Sequence, residues 1–162
     1  MAEPELKEKL QEKIGECLGL ERAVQQAVEE LDSKGLLGDY KGKLEGMKEE
    51  AAGHEEKLEH VIQAVVESEG LDSDSIEESA GETVQKATEM MKTYLGEEPD
   101  TLDALEFLCL AEGGEVTHYE VLSKLAPEVK SKKFAASVRT ILNQEKRHLQ
   151  LCTRLAKQEV TA

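Results

Sequence analysis

The chain has 162 residues, of which 39% are hydrophobic, 3% aromatic and 34% charged, with no tryptophan and a formal net charge of −15. That length suits one domain with a sizeable core, which must be built from Leu, Val, Ile and Ala. The acidic balance argues against nucleic acid and against anionic membrane surfaces as partners.

Long helical periodicities without extended β-branched runs predict an all-α protein, with one domain over residues 1–162. The first helix begins near Pro4, a residue suited to a first turn. Its stripe is Leu6, Leu10, Ile14, Cys17, Val24, Val28 and Leu31, and the step between Cys17 and Val24 falls on Glu21. Gly35 and Gly38 bracket a short turn, so the second helix, to about Glu67, should return antiparallel and complete a hairpin over 4–67. Its seam reads Tyr40, Leu44, Met47, Ala51, His54, Leu58, Val61 and Val65, with Glu50 one turn before His54. A lone histidine on such a face is usually a satisfied core residue, and a seam glutamate often reaches out to solvent.

Residues 68–75 read as a loop without calcium-loop spacing. A third helix over 75–95 has no acid–histidine pair on its seam and reads as a crossover between two hairpins. Gly96 to Asp100 breaks the chain, and Asp100 or Thr101 can cap the fourth helix. The second hairpin spans 101–159. Its first helix is apolar on several sides, so its buried face is ambiguous. A strict heptad gives Ala104, Leu108, Ala111, Glu115, His118, Leu122 and Leu125, whereas another face carries Val116 and Glu120. Pro127 and a basic turn over 130–133 precede the last helix, whose stripe is Phe134, Val138, Ile141, Glu145, His148, Cys152 and Leu155.

Polar groups on buried seams need partners, because each left unpaired costs about 2–7 kcal/mol in the most apolar surroundings. In an antiparallel hairpin, residues equidistant from the turn lie level. Glu21 is then level with Glu50 and His54, and the Glu145-x-x-His148 pair is level with residues 113–114. Two hairpins that each oppose a carboxylate to an acid–histidine pair form the pattern of a dimetal helical bundle. Carboxylates neutralise and bridge two cations, and imidazoles complete each ion's shell while leaving positions open. The predicted ligands are Glu21, Glu50, His54, Glu145 and His148, with Glu115 or Glu120 from the fourth helix. The cofactor is two divalent ions, iron first, with manganese or zinc as alternatives. The rival reading is a metal-free helical scaffold in which the same residues form a buried hydrogen-bonded network.

The segments Gly19-Leu20-Glu21-Arg22, Glu49 to His54, Val116-Thr117-His118-Tyr119-Glu120 and Ile141 to Lys146 together give a further lead. By their order and spacing the chain resembles, over nearly its whole length, the ferritin-like stress-response proteins typified by YciE and YciF. The resemblance implies a ferritin-like antiparallel four-helix bundle with one additional crossover helix, similar in fold to rubrerythrin. It also implies a homodimer and a role in ferroxidase or peroxide-type stress chemistry. Carried over by position, it supports Glu21, Glu50, Glu120 and Glu145 as acidic ligands and selects Glu120 over Glu115. The chain departs from the family at Thr117, where a second acid is expected, and at His148, which completes a Glu-x-x-His those relatives lack.

The three cysteines are far apart and form no Cys-x-x-Cys motif, so neither a disulfide framework nor a zinc ribbon is expected. The acidic opening lacks signal-peptide character and no apolar run approaches membrane-spanning length, which predicts a cytoplasmic protein.

Overall fold

A computed structural model describes residues 3–162 as five long helices joined by short turns: α1 (Pro4–Ser33), α2 (Lys41–Glu69), α3 (Ser73–Leu95), α4 (Thr101–Leu125) and α5 (Lys132–Val160). Among the described residues there is no strand. The all-α expectation holds, with helix boundaries close to those read from periodicity. The third helix begins earlier than expected because Asp72 caps it, its side chain accepting from the Asp74 amide at 2.9 Å. Asp100, not Thr101, caps α4: its carboxylate accepts from the Asp103 amide at 2.8 Å, and Asp103 accepts from the Asp100 amide at 3.0 Å. Gly70 ends α2 in the left-handed conformation, φ 66°, which a side chain would disfavour.

Helix α1 contacts α2, α2 contacts α5, α5 contacts α4 and α4 returns to α1, so these four close a ring. The ion pairs Lys41–Asp32, Lys48–Glu29 and Arg22–Glu55 step away from the first turn along both helices, as an antiparallel hairpin requires. Contacts between α2 and α5 also run antiparallel, from Met47–Cys152 through Glu50–His148 to His54–Glu145.

Helix α3 packs outside this ring, chiefly on α1, and runs parallel to it. Gly15 meets Ile76 and Ser79, and Gly19 meets Ala80 and Thr83 one turn further along both helices. A Cβ built on Gly19 would stand 2.5 Å from the Ala80 carbonyl oxygen and 2.8 Å from Thr83 Cβ, and one on Gly15 would stand 2.5 Å from the Ile76 carbonyl oxygen. This small-residue seam sets the depth to which α3 docks. Gly19→Ala should therefore cost a net ~1–2 kcal/mol in urea denaturation, because overpacking outweighs the helix propensity gained. Gly113→Ala, where an added Cβ meets nothing within 4 Å, should instead raise stability by up to about 1 kcal/mol.

The apolar core is divided into two blocks. One gathers Ile14, Leu18, Leu58, Val61, Leu122 and Val138 among others; the second gathers Val24, Val28, Met47, Leu105, Leu108 and Leu155 among others. On every helix of the ring the break between blocks falls on a polar residue: Glu21 on α1, His54 on α2, Glu112 and Glu115 on α4, Glu145 and His148 on α5. A layer of buried acids and imidazoles thus crosses the middle of the molecule.

Candidate metal centre

The four carboxylates of this layer are fully excluded from solvent, and the two imidazoles are 5% exposed. Helical spacing puts them there. Glu21 continues the α1 stripe between Cys17 and Val24, His54 continues the α2 stripe between Ala51 and Leu58, and Glu145 and His148 lie between Ile141 and Cys152 on α5. On α4 the buried stripe is Leu105, Leu108, Glu112, Glu115, Tyr119 and Leu122.

His54 Nδ1 lies 2.8 Å from Glu145 Oε1 and 3.3 Å from Glu21 Oε2. His148 Nδ1 lies 3.5 Å from Glu145 Oε2 and 3.8 Å from Glu112 Oε2. The rings stack with centroids 5.8 Å apart. Each histidine turns its other nitrogen outward: His148 Nε2 to Glu50 Oε2 at 2.6 Å, and His54 Nε2 to the Gln144 side-chain oxygen. Donation of Nε2–H to those acceptors holds each ring with Nδ1 towards the carboxylates, so that loss of the Nδ1 proton would present a lone pair to a metal. Tyr119 donates its hydroxyl to Glu21 Oε2 at 2.7 Å and is itself fully buried.

Two groups of donors lie close enough to share an ion, Glu21 with His54 and Glu145, and Glu112 with Glu145 and His148; within each, the ligand atoms lie within 4.8 Å of one another. Glu145 belongs to both. Glu115 adds a fourth buried carboxylate from the same stripe as Glu112.

Hydrogen bonds do not satisfy this layer. Among the described residues, the buried side-chain oxygens and nitrogens without a partner are Glu21 Oε1, both oxygens of Glu112 and of Glu115, Glu145 Oε2, His148 Nδ1 and, elsewhere, Glu69 Oε2. Each unmet group costs about 1–3 kcal/mol, and together they are large beside a total stability of about 5–15 kcal/mol. Protons relieve part of that cost. Burial, reinforced by the Glu145 and Glu21 charges, holds Glu112 and Glu115 well above the ordinary carboxylate range. Burial and the Glu145 charge also raise Glu21 to about 7, against the opposing pull of His54 and Tyr119. Burial alone would lift Glu145 too, but the neighbouring His148 and His54 imidazoles bring it below its usual value. Burial disfavours charge on His54, yet its bonds to Glu145 and Glu21 prevail and raise it to about 10. Divalent cations could replace these protons, and the set fits them: four carboxylates balance two such ions, and two imidazole nitrogens face inward.

The structure thus brings together Glu21, His54, Glu145 and His148 from the sequence-predicted set. Glu50 stands apart: its carboxylate is 57% exposed and bears on the outer nitrogen of His148, which makes it an orienting partner of a candidate ligand. The expectation for Glu120 is corrected. It points outward, half exposed, and pairs with Lys146 at 2.9 Å. Glu120 lies one position beyond the buried Tyr119, and one residue along a helix turns the side chain away from that face. His118 is also outside the layer, half-buried against Glu16 at 3.0 Å. Glu115, the alternative from hairpin levelling, is buried in the layer. Glu112 was missed; the signal was the run Leu105, Leu108, Glu112, Glu115, Tyr119, Leu122, whose steps of three and four mark one helix face.

An apolar cavity of about 220 Å³ lies elsewhere, between α1, α3 and α4 and lined by Val24, Ala27, Met91 and Phe107 among others. All three cysteines are free thiols, and no helix among the described residues is long and apolar enough to cross a membrane. No protein-family model, no curated protein and no solved structure matches the chain.

Proposed function

We propose that the protein is a dinuclear metal protein of carboxylate type, built on a ferritin-like bundle with α3 as the crossover helix. One observation carries this reading: the unpartnered buried donors converge on a layer in which Glu145 is common to two potential ion sites. Glu21 and His54 would hold one ion, Glu112 and His148 the second, with Glu145 between them and Glu115 beside them. Such a pair of ions supplies Lewis acidity and, with iron or manganese, redox chemistry on oxygen species. The chain's own residues orient the imidazoles through Glu50 and Gln144, fix Glu21 through Tyr119, and exclude water with the apolar blocks on either side. Iron is the first candidate metal, followed by manganese and zinc. The stress-related ferroxidase or peroxide chemistry and the homodimer belong to this proposal through the resemblance to the YciE and YciF family.

Protein purified without added metal and titrated anaerobically with Fe(II) should saturate near two ions per chain, with absorbance changes on admission of oxygen. Saturation without an oxygen response would mark a storage or structural metal site. A stoichiometry near zero for iron, manganese and zinc alike would leave the metal-free scaffold, with a protonated Glu/His network, as the correct reading.

A further inference from the structure

The cavity between α1, α3 and α4 lies outside the layer of acids and imidazoles. Its walls bring together small residues from three helices: Ala23 and Ala27 of α1, Ala87 of α3, and Ala111 and Gly114 of α4. At Gly15 and Gly19 the backbones of α1 and α3 come too close for even a methyl group. One and two turns further along the same side of α1 stand Ala23 and Ala27. There α3 packs only lightly on α4, and about 220 Å³ stays unfilled. Close-packed interiors seldom leave so large a space, and a dry cavity of about 150 Å³ already takes up benzene.

The lining runs from Phe107 to His118 on α4 and from Leu20 to Glu30 on α1, about 15 Å along each helix at about 1.5 Å per residue. Spread over that length, the volume leaves width for a single hydrocarbon chain. The surroundings of the mouth are apolar too. Met90, Tyr94 and Leu110 are three of the five large hydrophobic side chains exposed among the described residues, and they cluster there around Phe107.

The polar groups of the lining are largely engaged within the protein. His118 donates from Nδ1 to the Gly114 carbonyl at 2.8 Å and sets Nε2 against Glu16 Oε2 at 3.0 Å. Glu30 pairs with Lys34 at 3.3 Å, and Thr88 donates to the Val84 carbonyl at 2.9 Å. The lining contains no lysine or arginine to balance an anionic ligand, and the net charge of −15 repels one. Gln26, exposed along the same lining, suits a single uncharged hydroxyl.

We propose that this cavity binds an uncharged, unbranched, medium-chain molecule of the fatty-alcohol type, its chain lying along α1 and α4. The site is separate from the candidate metal centre and stands whether or not ions bind there.

The probe is 1-octanol, titrated calorimetrically into the full chain as purified, with octanoate as the charged control. Octanol should fill one saturable site per chain. Octanoate at neutral pH should bind at least about tenfold more weakly, because an unpaired carboxylate is costly to bury. With methyl-labelled methionine, octanol should shift the NMR signals of Met90 and Met91, which line the cavity, and leave that of Met47 in place. Ala27→Leu and Ala87→Leu each fill the space, so they should keep or raise Tm and abolish octanol binding. The methionine signals decide the matter alone if neither variant folds. No octanol binding, equal affinity for octanoate, unmoved Met90 and Met91 signals, or undiminished binding in folded filled variants would each overturn the proposal. So would a native dimer that excludes octanol until Leu110→Lys dissociates it, since a second copy would then be what covers the mouth.

Discussion

Glu145→Ala should bind neither ion. Glu145 is the one residue common to both donor groups, so its loss reduces each to a carboxylate and an imidazole. The same change removes the carboxylate that both imidazoles face, and breaking a buried ion pair from one side costs about 3–5 kcal/mol. The variant should therefore unfold at lower urea than the native protein even without metal. Two comparisons separate a site effect from a general loss of structure. Glu50→Ala touches only the outer nitrogen of His148 and should weaken metal binding by about 10–100-fold while leaving the stoichiometry at two. Glu120→Ala, at the outer pair with Lys146, should leave both stoichiometry and affinity unchanged. Isothermal titration calorimetry, together with urea denaturation, reads all three. Equal losses for Glu145→Ala and Glu120→Ala would remove the central layer as the binding site.

The second large effect has the opposite sign and appears in metal-free protein. Glu112→Leu and Glu115→Leu each replace a buried carboxyl, neither of whose oxygens has a partner, by an apolar group of similar size. Each should stabilise the metal-free chain at neutral pH by about 1–4 kcal/mol, in the manner of other buried charged groups replaced by well-packed apolar ones. The gain should depend on pH in a defined direction. Both carboxyls have folded-state values raised above the ordinary one by burial. Their contribution to folding is most favourable below the unfolded value, near 4.5, and is lost as pH rises through the folded value. The leucine variants should therefore gain little at pH 4 and progressively more above it. Glu21, raised to about 7, and His54, raised to about 10, act in the same direction, so metal-free native protein should weaken from mildly acid to alkaline pH. Glu145, lowered, opposes them and loses its contribution on the acid side. Metal reverses the dependence, since its ligands must shed protons to bind. The rise in Tm produced by saturating metal should accordingly grow with pH. A metal-induced shift that shrinks as pH rises would contradict this assignment of the protons.

Much of this was legible in the sequence because it depends on periodicity. The Glu145-x-x-His148 pair, Glu21 and His54 interrupt apolar stripes whose phase is unambiguous, so helix geometry alone put them inside. Helix α4 differs. Leu102, Leu105, Phe107, Leu108 and Leu110 surround it, because it packs against α1, α5 and α3 at once, and a helix apolar on most sides does not declare its buried face. The ambiguity allowed Glu120 to be preferred and Glu112 to be overlooked. Glu50 was drawn toward the site by its spacing from His54, but the contact that defines its role is with His148, 98 residues away. The Gly15 and Gly19 seam was also hidden, because glycines within a helix reveal close packing only once the neighbouring helix is in place.

The division of the core has a consequence for cooperativity. A continuous apolar core ties every helix of a small protein into one unfolding unit. Here a layer of carboxyl groups, several lacking partners, lies between two apolar blocks, and each helix of the ring crosses it midway. Without metal the blocks are coupled mainly by the helices themselves, so amide exchange should show two groups of protected amides opening with different free energies, one for each block. Ions held from α1, α2, α4 and α5 would join the blocks across the layer and merge those openings into one. The same polar layer that weakens the empty protein would then make the loaded protein behave as a single cooperative body.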